Sequence, residues 1–254
     1  MKFGVTSVLG AAAILSLTAG ASASMSEFCF TIRASAMVGG QMQFATYEVR
    51  SDSDAVYYDP PSQTYGWELT SPLHLVSAEG TTLAILETAS ILAIEDPVVS
   101  VNFSVTAGAV QTAFDITSTQ LNFGALSDSV TGHASASFTA NDDSGDGFVQ
   151  VSPIGVFPNS KLYVARYNNT GTLDGTDFGG GLLNGQTGQF IVGDAGNVPL
   201  QAIPGVITNM QAGFQFSLSS GDQAAGTSTF TIIPAPGAAA LLGLGGLLAS
   251  RRRR

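Results

Sequence analysis

Alternating oxygen-bearing side chains stand in the stretch "NDDSGDGF", which begins at Asn141. Asp142, Ser144 and Asp146 precede a glycine, an arrangement typical of the first half of a calcium-binding loop, where alternate side chains offer hard oxygen ligands. The residue eleven positions after Asp142 is Pro153, where an EF-hand needs a bidentate Glu. The sequence excludes an EF-hand and leaves two interpretations: a looser Ca²⁺ site on these three side chains, with no other cofactor expected, or an Asp/Gly-rich hairpin turn.

Hydrolytic chemistry has little support among the other residue types. His74 and His133 are the only imidazoles in the sequence, and neither a G-x-S-x-G nor an H-E-x-x-H motif is present. His74 lies between two leucines in an alternating run, which predicts an outward-facing strand position, whereas Gly132 before His133 indicates a turn. A Ser-His-Asp assembly from distant loops stays open as an alternative, but we expect a protein without enzymatic activity.

Aromatic residues cluster around two prolines in the stretch "YYDPPSQTYGW", which holds Tyr57, Tyr58, Tyr65 and Trp67. If they were exposed, these rings would form a platform that stacks on sugar rings. If they were buried, they would fill the core, which is the interpretation we favour because aromatic side chains dominate protein cores.

The elements that must position these residues are predicted to be β-strands, because Val, Phe, Ile and Thr recur at period two. The alternating runs are Phe28–Val38, Gln43–Val49, Val98–Gly108, Ala113–Phe123, Ala134–Ala140, Lys161–Tyr167, Gly213–Ser220 and Phe230–Ile233. The stretch 81–96 fits both helical and strand spacing, and its surroundings favour a strand. The clusters "NDDSGDG" and "GDAGNVP" predict loops.

These runs predict an all-β fold, a single antiparallel β-sandwich or jelly-roll-like domain over residues 24–231. Chains of this length commonly form one such domain. Cys29 is the only cysteine, which excludes an internal disulfide, and we expect it to be a small buried side chain.

The charge of this domain is strongly negative. Residues 24–231 hold four of the nine Lys and Arg and all 19 Asp and Glu, a formal charge of −15. Such a surface repels nucleic acid, so we expect no nucleic-acid partner and instead an affinity for divalent cations or basic partners.

The N-terminus predicts a secretory signal peptide over residues 1–23, which would form a helix outside the domain. Lys2 is followed by the apolar run Val8–Leu17, and Ala21 and Ala23 give the A-x-A pattern that signal peptidase recognises. Cleavage is expected after Ala23.

The C-terminus, residues 232–254, combines a hydrophobic segment with a basic end. Ala238–Ser250 carries no charge and predicts a hydrophobic helix, and Arg251, Arg252, Arg253 and Arg254 follow it directly. Since a spanning helix needs about 20 apolar residues, the segment spans a bilayer only if the upstream prolines lie at its outer end. The arginines would then stay in the cytoplasm, with the acidic domain on the other side.

This tail resembles the C-terminal sorting signal of the PEP-CTERM proteins, in which a short proline motif precedes one hydrophobic helix and an arginine cluster. The proline motif here is Pro234, Ala235, Pro236 and Gly237, with Ala235 where the name-giving Glu would stand, so it matches the PAP variant. The resemblance also extends to the segment before the tail. It is similar to the secreted β-rich domains that many proteins with this tail carry, to which no enzymatic activity is assigned. It implies export, a transient inner-membrane anchor, processing by signal peptidase and an exosortase-type enzyme, and delivery to the cell surface or exopolysaccharide matrix.

Two functions are consistent with these features. The first is a non-enzymatic secreted or cell-surface structural protein of the envelope or exopolysaccharide matrix. The alternative is a carbohydrate-binding or Ca²⁺-dependent adhesin, for which exopolysaccharide would be a partner.

Replacing Arg251–Arg254 with serine tests the role of the basic end. The change removes the charges that orient the tail, so we expect impaired membrane retention and sorting in cell fractions, while circular dichroism still reports a folded β-domain. Intact-mass analysis of the protein recovered from cells locates both processing sites. A mature chain that still ends in the four arginines would contradict a cleaved sorting signal.

Overall fold

A computed structural model describes residues 24–126, 130–154, 161–168, 176–178 and 181–234. These residues form an all-β, sandwich-like fold of two antiparallel sheets. The predicted signal peptide, 1–23, and the predicted hydrophobic helix, 238–250, lie outside the described residues. No helix in the described ranges is long and apolar enough to cross a membrane.

Sheet A is the larger sheet and contains ten of the strands found in the described ranges. They are β1 (Ser24–Met25), β2 (Phe28–Val38), β3 (Gln41–Arg50), β9 (Thr112–Ser118), β10 (Leu121–Leu126), β12 (Val149–Pro153), β13 (Tyr163–Tyr167), β14 (Thr176–Asp177), β15 (Gln186–Gly188) and β17 (Ile207–Leu218). Its main order is β1-β10-β17-β9-β2-β3, and β17 also pairs with β12 and β13. Strand β17 is thus the central strand of sheet A.

Sheet B contains eight strands within the same ranges. They are β4 (Tyr57–Asp59), β5 (Thr64–Glu68), β6 (Leu73–Val76), β7 (Thr82–Ile94), β8 (Val98–Ala107), β11 (Val130–Asn141), β16 (Ile191–Ile203) and β18 (Gln223–Ile233). Their order is β16-β11-β18-β8-β7-β5-β4, with β6 paired to β7. Long strands β7, β8, β18 and β11 therefore lie side by side in the middle of sheet B.

Phenylalanine rings join the two sheets at the centre of the core. Phe103 of β8 packs against Phe214 and Phe216 of β17, with ring centroids 5.0 and 5.8 Å apart. Phe138 of β11 meets Phe216 edge-on at 4.9 Å. Gly226 of β18 makes room for this cluster, because a Cβ there would lie 2.6 Å from the Phe103 ring. The rings are almost completely buried, so they carry much of the hydrophobic stabilisation.

Several predicted elements are confirmed. Strand β2 has the bounds predicted from its alternation, and the ambiguous stretch 81–96 is the strand β7. Cys29 is a free, buried side chain, and burial raises the pKa of its thiol to about 12, partly offset by a backbone hydrogen bond. The predicted run Ala113–Phe123 is instead two strands, β9 and β10, that belong to the same sheet.

Two loop predictions need correction. The cluster "GDAGNVP" lies within β16, where Gly and Pro are tolerated because, among the described strands, this edge strand pairs only with β11. The cluster "NDDSGDG" connects β11 of sheet B to β12 of sheet A, so it crosses between the sheets and is not a hairpin turn.

Phe216→Ala tests how much the phenylalanine cluster contributes to the stability of the fold. The substitution leaves a cavity among three neighbouring rings, and we expect the free energy of unfolding to fall by about 3–5 kcal/mol. Phe190→Ala is the matched control, because this ring is 66% exposed and its loss should change stability by less than about 0.5 kcal/mol. Urea unfolding measures both changes, and equal effects of the two substitutions would refute the central role of the cluster.

Candidate functional site

The outer face of sheet B is rich in hydroxyl and amide groups. On β8, β11 and β18 every second residue is buried, so the residues between them face away from the core. The outward polar side chains at the middle of these strands are Ser100, Asn102, Ser135, Ser137, Thr227 and Thr229. The same alternation that builds the core therefore builds this polar face.

A groove of about 840 Å³ lies on this face. Its lining combines the polar side chains of β8, β11 and β18 with residues of β4, β5, β7 and β16. Glu68 is the only charged residue among the described lining residues, and it is exposed. The groove is thus wide enough for a chain molecule and offers hydrogen bonds rather than net charge.

Cross-strand hydrogen bonds organise the floor of the groove. The hydroxyls of Ser100 and Thr229 are 3.1 Å apart, and the hydroxyls of Ser137 and Thr227 are 2.8 Å apart. The Asn102 amide donates to the Ser90 hydroxyl at 3.2 Å. Each hydroxyl keeps further hydrogen-bonding capacity for a ligand, since it can donate once and accept twice.

An exposed tyrosine stands at one end of the groove. Tyr57 of β4 is opposite Gly66 of β5 and is 56% exposed. Its ring lies over Gly66, because a Cβ on that glycine would collide with the ring. Glycine at this position therefore allows the ring to rest on the sheet beside the polar side chains.

The neighbouring aromatic residues hold the β4–β5 hairpin in place. Tyr58 stacks on Tyr65 with ring centroids 4.4 Å apart, and both phenol groups donate to the Glu95 carboxylate, at 3.2 and 3.3 Å. Loss of hydration and the Glu95 charge raise the pKa of both phenols. Trp67 is in the core, stacked on Phe30 at 5.0 Å. Core packing is thus confirmed for Trp67 and wrong for the exposed Tyr57 and Tyr58.

The predicted calcium ligands lie together in the loop between β11 and β12, but the oxygens of Asp142 are turned towards the loop itself. They accept from the backbone N–H of Gly145 and Gly147, both at 2.7 Å, and from the Ser144 hydroxyl at 3.1 Å. Asp146 accepts from the N–H of Phe148 at 2.9 Å. Lost hydration raises the pKa of Asp142, but the bonds from Gly147 and Gly145 outweigh it and the net pKa is lowered.

This arrangement is that of a self-capped loop with Asx-type turns. Among the described residues no group of three or more His, Cys, Asp and Glu side chains could hold a metal ion. Calcium binding by Asp142, Ser144 and Asp146 stays a prediction that a titration must test.

The two histidines lie on different strands of sheet B. His74 is exposed on β6, as predicted, whereas the turn predicted at Gly132 is wrong because this glycine and His133 are inside β11. A Cβ on Gly132 would lie 2.7 Å from Cδ1 of Ile203, so the glycine makes room for that buried side chain. Three strands separate β6 from β11, a distance of about 19 Å at ~4.8 Å per strand. The imidazoles therefore cannot act in one site.

A titratable group of sheet A lies away from the groove. Asp115 of β9 is opposite Arg33 and Gln215 in the strand register. Burial raises its pKa, while Gln215 and the charges of Arg33 and Arg166 act in the opposite direction. No second carboxylate or imidazole stands at the register positions beside it, so the pairing gives no acid–base dyad.

The predicted processing residues fall at the margins of the described chain. Pro234 is described and half-buried, directly after β18. Ala21 and Ala23 of the cleavage motif, Ala235, Pro236 and Gly237 of the proline motif, and Arg251–Arg254 lie outside the described residues.

Sequence reasoning missed the polar groove. The signal was present in "SVN" at Ser100, in "SAS" at Ser135 and in "TST" at Thr227, where hydroxyl or amide side chains alternate with apolar or small ones. These triplets become a surface only when β8, β18 and β11 pair in register, which a single strand pattern does not reveal.

Comparison with known proteins gives little further guidance. No protein-family model matches the chain, and no curated protein matches it. The solved structure of TmCBM61 in complex with β-1,4-galactotriose is similar at a TM-score of 0.25 and 11% identity, covering 54% of this chain and 70% of that chain. A likeness this remote supports no conclusion about this chain.

Asp142→Asn tests the self-capped loop. The native pKa of Asp142 lies below its unfolded value, so the charged carboxylate stabilises the fold at neutral pH, and this contribution is lost as the pH falls through the native pKa. We expect the variant to be less stable than the wild type at neutral pH, and the gap to close below about pH 3.9. Urea midpoints across this pH range measure the effect, with the exposed Asp143→Asn as the control.

Calorimetric titration with CaCl₂ tests the cation hypothesis on the same chain. Saturable binding that Asp142→Ala and Asp146→Ala each abolish would establish the site. Absence of heat in the wild type would leave the loop with its turn role alone.

Proposed function

We propose that this chain is a non-enzymatic, exported protein of the bacterial cell surface or exopolysaccharide matrix, and that its β-sandwich binds carbohydrate in the groove of sheet B. The observation that carries the binding role is the combination of paired hydroxyl and amide groups with the exposed Tyr57 ring beside them. Sugars present hydroxyl groups at their edges and C–H groups on their faces, and both kinds of surface find a partner here.

The exported location rests on the end signals of the sequence. The signal-peptide pattern of residues 1–23 and the PEP-CTERM-like tail of residues 232–254 support export, a transient inner-membrane stage and handling by signal peptidase and an exosortase-type enzyme. A protein delivered to the matrix in this way meets exopolysaccharide as its most abundant neighbour.

The absence of enzymatic activity is part of the proposal. The groove has Glu68 as its one charged described residue, whereas glycoside hydrolysis commonly needs two carboxyl groups that flank the scissile bond. A binding role needs no such pair. Prolonged incubation with polysaccharides that yields no reducing ends is the expected result, and sustained hydrolysis would contradict the proposal.

Tyr57→Ala tests carbohydrate binding at the groove. Loss of the ring should weaken binding to the preferred polysaccharide by about 1 kcal/mol, roughly fivefold in Kd, as measured by calorimetry or affinity electrophoresis. Phe44→Ala is the matched control, because it removes a ring of similar exposure on sheet A. Binding to no member of a broad polysaccharide panel, or equal effects of the two substitutions, would sink the proposal.

A further inference from the structure

Two straight rows of side chains cross the strands inside the groove. The first row follows register partners from Tyr57 through Gly66, Leu92, Ser100 and Thr229 to Ser135. The second row runs beside it through Glu68, Ser90, Asn102, Thr227 and Ser137. Each row is perpendicular to the strands, so the groove has a direction.

From this geometry we infer that the groove takes a neutral, β-linked polysaccharide in an extended ribbon conformation, lying across the strands from Tyr57 towards Ser135. The inference rests on the proposed carbohydrate-binding function and specifies its ligand class. The chain would place one sugar ring on each strand.

The spacing of the strands supports this direction. Neighbouring strands are ~4.8 Å apart, and a pyranose joined through equatorial oxygens advances by a similar distance per ring. The two rows are separated by two residues along each strand, about 7 Å, which is close to the breadth of a pyranose with its equatorial hydroxyls. An extended ribbon therefore meets both rows repeatedly, whereas a helical α-linked chain would leave the rows after a few rings.

The charge of the lining supports a neutral ligand. No Lys or Arg is present among the described lining residues, and Glu68 is acidic. Uronic acid, sulfate or phosphate groups on a glycan would find no counter-charge in the groove and would approach a domain of formal charge −15. The hydroxyl pairs of Ser100 with Thr229 and of Ser137 with Thr227 suit uncharged hydroxyls.

The asymmetry of the first row predicts a length dependence. Tyr57 provides the aromatic surface at one end, where its ring lies over Gly66 of β5. Ser135 provides a hydroxyl at the other end, on β11, which is the fourth strand after β5 in the sheet. A trimer held at the Tyr57 end reaches β8 but not β11. A pentamer reaches Ser135.

Calorimetry with defined oligosaccharides tests the inference on the purified full chain in mild detergent. The probes are β-1,4-linked glucose oligomers of two to six rings, α-1,4-linked glucose oligomers of the same lengths, and β-1,4-linked mannuronic acid oligomers. We expect affinity for the β-linked neutral series to rise with each ring up to about five, the number of strands in the row from β5 to β11. The other two series should bind at least about tenfold more weakly.

Variants of the row give the direction of the bound chain. Ser135→Ala should weaken the binding of the pentamer about fivefold and leave the trimer unchanged, since one hydrogen bond is lost only where the ligand reaches β11. Gly66→Ala should weaken every length, because its new methyl group displaces the Tyr57 ring while all groove side chains remain. Thr231→Val is the control, as Thr231 is on the same face of β18 but beyond the groove.

The outcomes separate the inference from the proposed function. If α-linked or anionic oligomers bind the groove as tightly as the neutral β-linked series, or if Ser135→Ala affects the trimer and the pentamer equally, the inference is wrong and carbohydrate binding stands. If no carbohydrate binds, or if carbohydrate binds and Tyr57→Ala does not weaken it, both the inference and the proposed function are wrong.

Discussion

The packing of Phe103 against Phe214 and Phe216 is the interaction on which the rest of the structure depends. It joins the centre of sheet B to the central strand of sheet A. Because side chains alternate along a strand, an inward Phe103 fixes Asn102 as an outward residue, and the same holds for its neighbours on β18 and β11. A slip of one residue in β8 would bury amides and hydroxyls and expose the rings. The buried core and the polar groove therefore result from the same alternation of inward and outward side chains along these strands.

The exposed ion pairs contribute little to this stability. Arg50 forms the ion pairs seen among the described residues, with Glu27 at 2.6 Å and Asp52 at 2.9 Å, and all three side chains are more than half exposed. Exposed pairs of this kind are worth little, so burial of apolar surface must stabilise the domain. The excess of acidic residues instead keeps the surface repulsive towards other acidic chains, which opposes nonspecific association.

The sequence predicts most of the fold because the alternation is local. The bounds of β2 and the presence of β7, β8 and β18 follow from period-two patterns that need no knowledge of partners. Strand β16 was missed because it lies at an edge, where "GDAGNVP" can pair on one side without burying its side chains. The break between β9 and β10 was also missed, because the pattern of apolar residues does not mark it.

The site was harder to predict than the fold. Single Ser, Thr and Asn positions are ordinary on exposed strand faces, and they form a groove only through the pairing of the four strands β7, β8, β18 and β11. The aromatic cluster was predicted as one unit, yet Trp67 is buried while Tyr57 is exposed. Tyr57 is opposite Gly66, the residue before Trp67, and successive residues of a strand face opposite sides of the sheet. The acidic loop matched a cation motif in sequence, but the backbone N–H groups of the loop donate hydrogen bonds to the carboxylate of Asp142.

The position of β18 has a mechanical consequence. This strand leads directly to Pro234 and the C-terminal segment, and it is the middle strand of three, with nine register pairs to β8 and eleven to β11. A pull on a chain tethered through its C-terminal end would act along β18 and load the hydrogen bonds to both neighbours in shear, so that many must break together. A protein held on a cell surface under flow would resist forced unfolding best if such a strand lay next to its tether.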